Sequence, residues 1–320
     1  MKRIPSALAI AALVPAAAGA LALSIFAGET VTGELTRDIV LEYRLPRGIL
    51  AFLVGASLGA SGVCFQGLFR NSLADPFVVG VSSGAALGAV AAIVLGLERT
   101  VLGLAPPTVT AFLGATAAAF LAYGVARVRG RVPVTTLLLG GSAIGSFAGA
   151  MVSILILINS PKWSEVVTWL MGSMMHPDPW NRVKVVVPCL LASGTVMMIY
   201  ARDLNLLLLG EESAQQLGVE VERLKVLLLA AGSLAAAGAV ATCGMIGFVG
   251  LIVPHVARRL VGPDHRTLLP ITVLAGGILL TLADAASRMV SSYPLPIGAV
   301  TALGGAPFFV YILRRRSAKM

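Results

Sequence analysis

Stretches of about 20 residues with almost no charge recur along the whole chain, and this pattern constrains the fold more than any motif. A helix of that length is what crosses the hydrocarbon core of a membrane. Only 12% of the residues are charged, against roughly 25% in a soluble domain. No polar segment is long enough to form a separate soluble domain. The sequence therefore predicts an all-α, polytopic membrane protein in which residues 1–320 form a single transmembrane domain.

Ten of these stretches are assigned as membrane spans. They cover residues 6–27, 48–69, 77–97, 106–126, 133–157, 184–201, 224–242, 244–260, 267–290 and 297–313. An even number places both termini on one side, and most of the basic residues then fall in loops on that side. Because cytoplasmic loops are enriched in Lys and Arg, we expect a multi-pass protein of the cell inner membrane with both termini in the cytoplasm.

The N-terminus also fits another interpretation. Lys2 and Arg3 precede an apolar run that contains AAAGA at residues 16–20, a pattern that resembles a secretory signal peptide. The run extends to Ala27, longer than an ordinary signal core, and its removal would leave nine spans with the termini on opposite sides. A retained first helix fits the charge distribution better, and cleavage is the alternative.

Several functional classes lack the residues that they require. The formal charge of +9 could suggest nucleic acid, but the basic residues are spread among short loops, which favours a lipid bilayer as the partner and no nucleic acid. No lysine follows a glycine, as a P-loop requires. The sequence therefore predicts no nucleotide site of its own and no enzymatic activity.

Metal and catalytic motifs are not legible either. The three cysteines lie far apart inside predicted spans, and the three histidines show no ligand spacing. We expect the cysteines to be small core residues, and we assign no catalytic or metal-binding residue to the chain.

One polar segment interrupts the apolar pattern. Residues 210–223, GEESAQQLGVEVER, carry four glutamates and two glycines, Gly210 and Gly218, that can end or turn short helices. We interpret the segment as two short surface helices around Gly218, exposed to the cytoplasm.

Small residues at three- and four-residue spacing indicate closely packed helices. Residues 55–63, GASLGASGV, align with residues 231–239, AGSLAAAGA, in spans expected to run in opposite directions. That relation is typical of inverted repeats in transporters. An ion-coupled secondary transporter and a membrane enzyme are the alternatives, although the ionisable residues inside the spans are sparse. Asp284 and Arg288 lie one turn apart near the outer end of the ninth span, where an ion pair is easy to form.

Five segments together resemble the FecCD-type permeases of binding-protein-dependent ABC importers, which carry iron-siderophores, haem and cobalamin. The resemblance covers nearly the whole chain and includes RLPR at 44–47, LVGASLGASGVCFQGLFRNSLADPFVVGVSSGAALGA at 53–89, LGEESAQQLGV at 209–219, GFVGLIVPHVARRLVGPDHRTLLP at 247–270 and LPIGAVTALGGAPFFVYIL at 295–313. Ser72 departs from the pattern, since the family usually has proline there.

The resemblance implies an ABC type II importer permease fold with inverted repeats. It also implies a second copy of the chain, a homodimer of ABC ATPase subunits that holds ATP and Mg, and an extracytoplasmic substrate-binding protein. No cofactor would be bound by this chain. The cargo would be a ferric siderophore, haem or cobalamin, and the sequence does not choose among them.

The resemblance also assigns roles to individual residues. Residues 203–223 would form cytoplasmic coupling helices, for which a merely solvated loop is the alternative. Coupling to the ATPase would involve Gly210, Glu211, Ala214, Leu217, Gly218, His255 and Arg258. Docking of the binding protein, or else anchoring at the lipid interface, would involve Arg44, Arg47 and Arg288. The cytoplasmic gate would involve Asn71, Leu73, Thr135 and Thr136.

Overall fold

The computed structural model describes residues 4–27, 37–101, 103–128, 130–158, 160–290 and 295–317. Thirteen α-helices fall within these ranges: α1 Ser6–Phe26, α2 Leu45–Leu68, α3 Val81–Val94, α4 Pro106–Ala126, α5 Val134–Ile158, α6 Trp163–Leu170, α7 Pro179–Ile199, α8 Ala201–Leu207, α9 Glu211–Gln216, α10 Val221–Cys243, α11 Val249–Val261, α12 His265–Val290 and α13 Ile297–Ser317. The predicted all-α class is confirmed. Lys2 and Arg3, which suggested a signal peptide, lie outside the described residues.

Each of the ten predicted spans contains one of these helices, namely α1 to α5, α7 and α10 to α13. Seven described helices are long and apolar enough to cross a membrane, whereas α3 and the Ile297–Ile312 part of α13 are shorter apolar helices. The fifth of these seven helices, α7, begins at Pro179, five residues before the sixth predicted span, because proline is well placed in the first turn of a helix.

The third and eighth predicted spans are too long. The third one, 77–97, contains a 3₁₀ turn at Pro76–Val79 before α3, and Gly80 separates the two with a φ of +87°. The eighth, 244–260, has five non-helical residues before α11. There Gly244 and Phe248 have φ angles of +73° and +68°, which no α-helix accommodates.

Helices α2 and α10 form the centre of the bundle, and both are buried along most of their length. They run in opposite directions and touch through their small residues. The Ser61 hydroxyl donates to the Gly232 carbonyl at 2.7 Å, and the Cys64 thiol donates to the Leu228 carbonyl at 3.2 Å. The aligned segments 55–63 and 231–239 lie in this antiparallel pair, which is the relation that an inverted repeat requires.

Glycines bring several helix backbones into direct contact around α2. A Cβ added to Gly62 would lie 2.7 Å from the carbonyl carbon of Gly250 on α11, and one added to Gly59 would lie 2.8 Å from the Thr272 oxygen on α12. In lipid there is no hydrophobic driving force between helices, so close van der Waals packing of this kind holds them together. The predicted role of the small residues in packing is confirmed.

The outer helices expose large apolar side chains. Leu113 and Phe120 on α4, Phe147 on α5 and Leu303 on α13 are all more than half exposed. Such a surface suits lipid or another protein rather than water. The chain is therefore a multi-pass membrane protein.

The two ends of the bundle differ in chemistry, and we name them by what they carry. The α9 end carries Glu211–Gln216, and the Arg47 end carries Arg47 at the opposite end of α2. The first described residues lie at the α9 end, where the Ile4 amide donates to the Leu260 carbonyl at 3.0 Å.

The three cysteines, Cys64, Cys189 and Cys243, are free and buried. Each one lies in a helix that crosses the bundle. The expectation that they are small core residues is confirmed.

Candidate functional site

The polar segment forms a helical hairpin at the α9 end, but its turn differs from the prediction. The two short helices, α8 and α9, flank Gly210 rather than Gly218. Gly210 has a φ of +117°, and Gly218, with a φ of +88°, instead separates α9 from the long helix α10. The expected arrangement around Gly218 was wrong because both glycines can leave a helix, and the sequence does not show which one is followed by a long span. Residues 203–223 thus include most of α8, all of α9 and the first turn of α10.

One side of α9 packs against the bundle and the other is open. Ala214 is fully buried, and its carbonyl accepts a hydrogen bond from the Val219 amide at 3.0 Å. Glu212 is exposed, and Leu217 at the end of α9 is 59% exposed. Leu217 is thus a large apolar side chain that α9 leaves open to solvent or to a partner protein.

Lys225, in the second turn of α10, holds α9 against the bundle. Its ammonium group lies 2.7 Å from Glu211 Oε2 and 3.0 Å from Glu222 Oε1. It also donates to the Val132 carbonyl at 3.0 Å. Glu222 Oε2 accepts the Val132 amide at 2.8 Å. We call these four residues the Lys225 clamp, and it joins α9, α10 and the segment that leads into α5.

Asn205 makes a second connection, between α8 and the start of α12. Its amide nitrogen donates to Asp264 Oδ1 at 2.6 Å, and its oxygen accepts the backbone amide of His265 at 2.9 Å. The hydrogen bond from Asn205 holds the pKa of the Asp264 carboxyl below its usual range. Since Asp264 also caps α12 through the Arg266 amide at 3.0 Å, a displacement of α8 acts directly on the first turn of α12.

Replacing Asn205 by alanine should loosen α8 without unfolding the bundle. The lost hydrogen bonds lie near the surface, so we expect the free energy of local unfolding of α8 to fall by about 1 kcal/mol. The amides of α8 should then exchange about fivefold faster. Hydrogen exchange read by mass spectrometry measures this, with Gln215→Ala on the exposed side of α9 as the matched amide control. Equal exchange of α8 in both variants would contradict this role of Asn205.

The residues predicted for the gate occupy two segments at the α9 end. Asn71 and Leu73 lie in the loop after α2, where the Asn71 side chain accepts the Leu73 amide at 3.1 Å. Thr135 and Thr136 lie in the first turn of α5, the former exposed and the latter half-buried. The Asn71 side chain thus stabilises the turn of this loop by its hydrogen bond to Leu73. Ser72 lies between them, at the position where the resemblance leads us to expect proline.

Helix α5 also crosses the 3₁₀ turn that follows this loop. A Cβ added to Gly141 would lie 2.8 Å from the Val79 Cα. The two predicted gate segments therefore belong to one packed unit, although no hydrogen bond joins their named residues within the described ranges.

The two predicted coupling residues on α11 lie elsewhere. His255 is buried, and Arg258 Nη2 lies 3.4 Å from Gln66 Oε1 on α2. Neither belongs to the open side of α9, so their assignment to ATPase coupling stays a prediction that the hairpin geometry does not support directly.

At the opposite end, the three arginines predicted for docking lie near the end of α1, and two of them share one carboxylate. Arg47 and Arg288 lie 2.8 and 3.2 Å from the two oxygens of Asp284, so the predicted pair of Asp284 with Arg288 is confirmed. Arg288 and Arg44 also donate to carbonyl oxygens within residues 24–27 at the end of α1. Three guanidinium groups and one carboxylate leave an excess of positive charge at this end, largely below the surface.

Sequence reasoning did not identify Lys225, Glu222 or Asn205 as site residues. The spacing of Glu222 and Lys225 by three residues was a visible signal, but their contacts with Glu211 and Val132 depend on how the helices meet. Asn205 had no signal in the sequence.

The chain is similar to known proteins over nearly its whole length. The FecCD transport family matches residues 7–315. A cobalamin import system permease protein of Halobacterium salinarum is 47% identical, over 89% of this chain and 76% of that protein. A hemin transport system permease protein of Yersinia pestis is 40% identical, over 97% of this chain and 93% of that one. A solved structure described as a metal-chelate type ABC transporter in an inward-facing conformation superposes with a TM-score of 0.86 at 32% identity, covering 95% of this chain and 98% of its own.

Proposed function

The chain belongs to the FecCD transport family, and from this premise we propose that it forms the translocation pathway of an ABC importer for a metal chelate. The chelate is a ferric siderophore, haem or cobalamin, and a partner subunit drives its import by ATP hydrolysis. The single observation that carries the proposal is α9, a short helix with one open side that is fixed to the bundle by an ion pair.

A protein that is moved by ATP bound outside the membrane needs a stiff element in contact with both the ATPase and the spans. Helix α9 meets this requirement because Ala214 and Glu211 fix its inner side while Leu217 stays exposed. ATP and Mg would be held by a homodimer of ATPase subunits, and this chain would contribute no nucleotide site and no cofactor.

The other partners follow from the two ends and the sides of the bundle. A second copy of the chain would cover part of the apolar surface of the outer helices, with the pathway between the copies. The positive excess around Asp284 supports docking of an extracytoplasmic binding protein through acidic residues, which would steer its association. The α9 end would then face the cytoplasm, together with both termini, and the membrane would be the cell inner membrane.

Reconstitution in liposomes tests the proposal. The chain is combined with an ABC ATPase and an extracytoplasmic binding protein from the same organism, and ATP hydrolysis and uptake are measured with haem, cobalamin and ferric siderophores. We expect one of these compounds to stimulate both activities, which would also identify the cargo. Uptake that follows an ion gradient without any ATPase would refute the proposal in favour of an ion-coupled secondary transporter.

Replacing Leu217 by glutamate should abolish substrate-stimulated ATP hydrolysis and leave the permease dimer intact. A buried apolar contact with the ATPase would be lost and a charge would have to be desolvated in its place. We expect stimulation to fall at least about tenfold. Stimulated hydrolysis and size-exclusion chromatography measure the two properties.

Val128→Glu is the matched control for Leu217→Glu. Val128 is an exposed apolar residue of similar exposure in the loop before α5, outside the α8–α9 hairpin. Equal stimulation in the Leu217 variant and the control would show that α9 is not the contact with the ATPase.

A further inference from the structure

We propose that Lys225 is a positioning residue that passes the movement of α9 to the start of α5, and so to the gate of the importer. This inference rests on the proposed function, since it requires that an ATPase moves α9. The juxtaposition that carries it is the Lys225 clamp, in which one ammonium group contacts α9, α10 and the residue that leads into α5.

The clamp uses every donor of the lysine. An ammonium group has three N–H donors, and here they match the three acceptors supplied by Glu211, Glu222 and the Val132 carbonyl. Glu222 also accepts the Val132 amide. Both backbone groups of Val132 are thereby bound to charged side chains of α10. A residue held at both polar groups must follow the side chains that hold it.

Burial makes the clamp stiff. The Lys225 side chain is 6% exposed, against 31% for Glu211 and 33% for Glu222. A buried ammonium group that loses a partner is costly, whereas exposed pairs contribute little. If Glu211 moves with α9, Lys225 is therefore stabilised by moving with it rather than by breaking the pair.

The polypeptide itself does not provide an equally stiff connection. Between α9 and α10 the chain passes through Gly218, where φ is +88° and an added Cβ would meet no atom within 4 Å. The Gly218 amide donates to the Gln215 carbonyl at 3.0 Å, a bond within this short segment, and glycine has no side chain to pack against the bundle. The ion pair of Glu211 with Lys225 is thus the short, buried route by which α9 acts on the helices behind it.

The route ends at the segments assigned to the gate. Val132 lies two residues before α5, whose first turn carries Thr135. Further along, α5 packs through Gly141 on Val78 and Val79, in the segment that follows the loop of Asn71. A displacement at Val132 therefore reaches both predicted gate segments through one rigid helix.

The test uses the complete reconstituted complex with Glu211→Ala, which cuts only the link to α9. A spin label on Thr135→Cys reports the distance between the two copies of α5 with and without ATP. We expect this distance to stop responding to ATP. Substrate-stimulated hydrolysis should fall about tenfold, the factor that corresponds to an interaction free energy of about 1.4 kcal/mol. In Lys225→Met, which leaves every residue assigned to the ATPase contact in place, assembly and basal hydrolysis should stay within about twofold, which a general loss of structure would not allow.

Glu220→Ala is the matched control, because Glu220 lies in the same segment and its carboxylate forms an exposed ion pair with Arg223 at 3.5 Å, away from Lys225. Lys225→Met, which cuts all three contacts, should reproduce the loss seen with Glu211→Ala. A normal response to ATP in Glu211→Ala would overturn the inference, as would loss of assembly, which would assign Glu211 to binding of the ATPase. An unsubstituted complex that shows neither stimulation nor a change in distance would overturn the proposed function itself.

Discussion

Replacing Asp284 by alanine is expected to cost about 3 to 5 kcal/mol of stability, because it removes one partner from a buried charge cluster. The carboxylate is 1% exposed and faces both Arg47 and Arg288. Without it, the two guanidinium groups stay in place with no compensating charge. Thermal or detergent-induced unfolding of the purified protein measures the loss.

Glu98→Ala is the control, since Glu98 is an exposed carboxylate in the loop after α3. It should change stability by less than about 0.5 kcal/mol. Adding Arg47→Met to Asp284→Ala should cost less than the sum of the two single changes, because residues in contact are not additive. Full additivity would mean that the cluster does not stabilise the fold.

Replacing Gly62 by valine is the second change for which we expect a large effect. A Cβ at this position would lie 2.7 and 2.9 Å from the carbonyl carbon and the Cα of Gly250. Both are backbone atoms, so no side chain can rotate away, and α2 and α11 must separate. We expect a loss of at least about 3 kcal/mol or a failure to assemble. Expression level and unfolding in detergent measure it.

Gly124→Val on α4 provides the matched control, because a Cβ there would meet no atom within 4 Å. In that position the substitution adds a side chain to an open helix face and should be nearly neutral. If both variants had equal stability, the contact between α2 and α11 would tolerate separation, and the close approach would not matter for the fold.

The sequence predicted the helices well because their signal is local. Length and hydropathy alone indicate where a span lies, and all ten predicted spans contain a helix. The errors fall where a single backbone angle decides the boundary. Phe248 leaves the helical region with a φ of +68°, and a phenylalanine in an apolar run gives no sign of this.

The candidate site was predictable in part. The resemblance placed Leu217 and Ala214 in a coupling helix, and the structure gives them different surroundings, one exposed and one buried. The contact of Glu211 with Lys225 joins two helices across a turn. The contact of Lys225 with Val132 joins residues 93 positions apart. Such contacts depend on the packing of the whole bundle, which no local pattern contains.

The arginines at the Arg47 end show a different limit. Arg44, Arg47 and Arg288 resemble a docking surface in sequence, and Asp284 appeared only as the partner of Arg288. In the folded chain Arg44 and Arg288 donate to carbonyl groups at the end of α1, and Arg47 and Arg288 share the Asp284 carboxylate. Residue type alone did not reveal that arginines expected to meet another protein are bound to acceptors within the chain itself.

Burial of all three cysteines makes the native protein a reporter of its own unfolding. Reagents that modify only accessible sulfur should leave the folded chain unlabelled, since a buried thiol is inert. The temperature at which labelling begins would then report loss of structure while the protein stays in its own lipid. The assay does not require removal of the protein from the membrane.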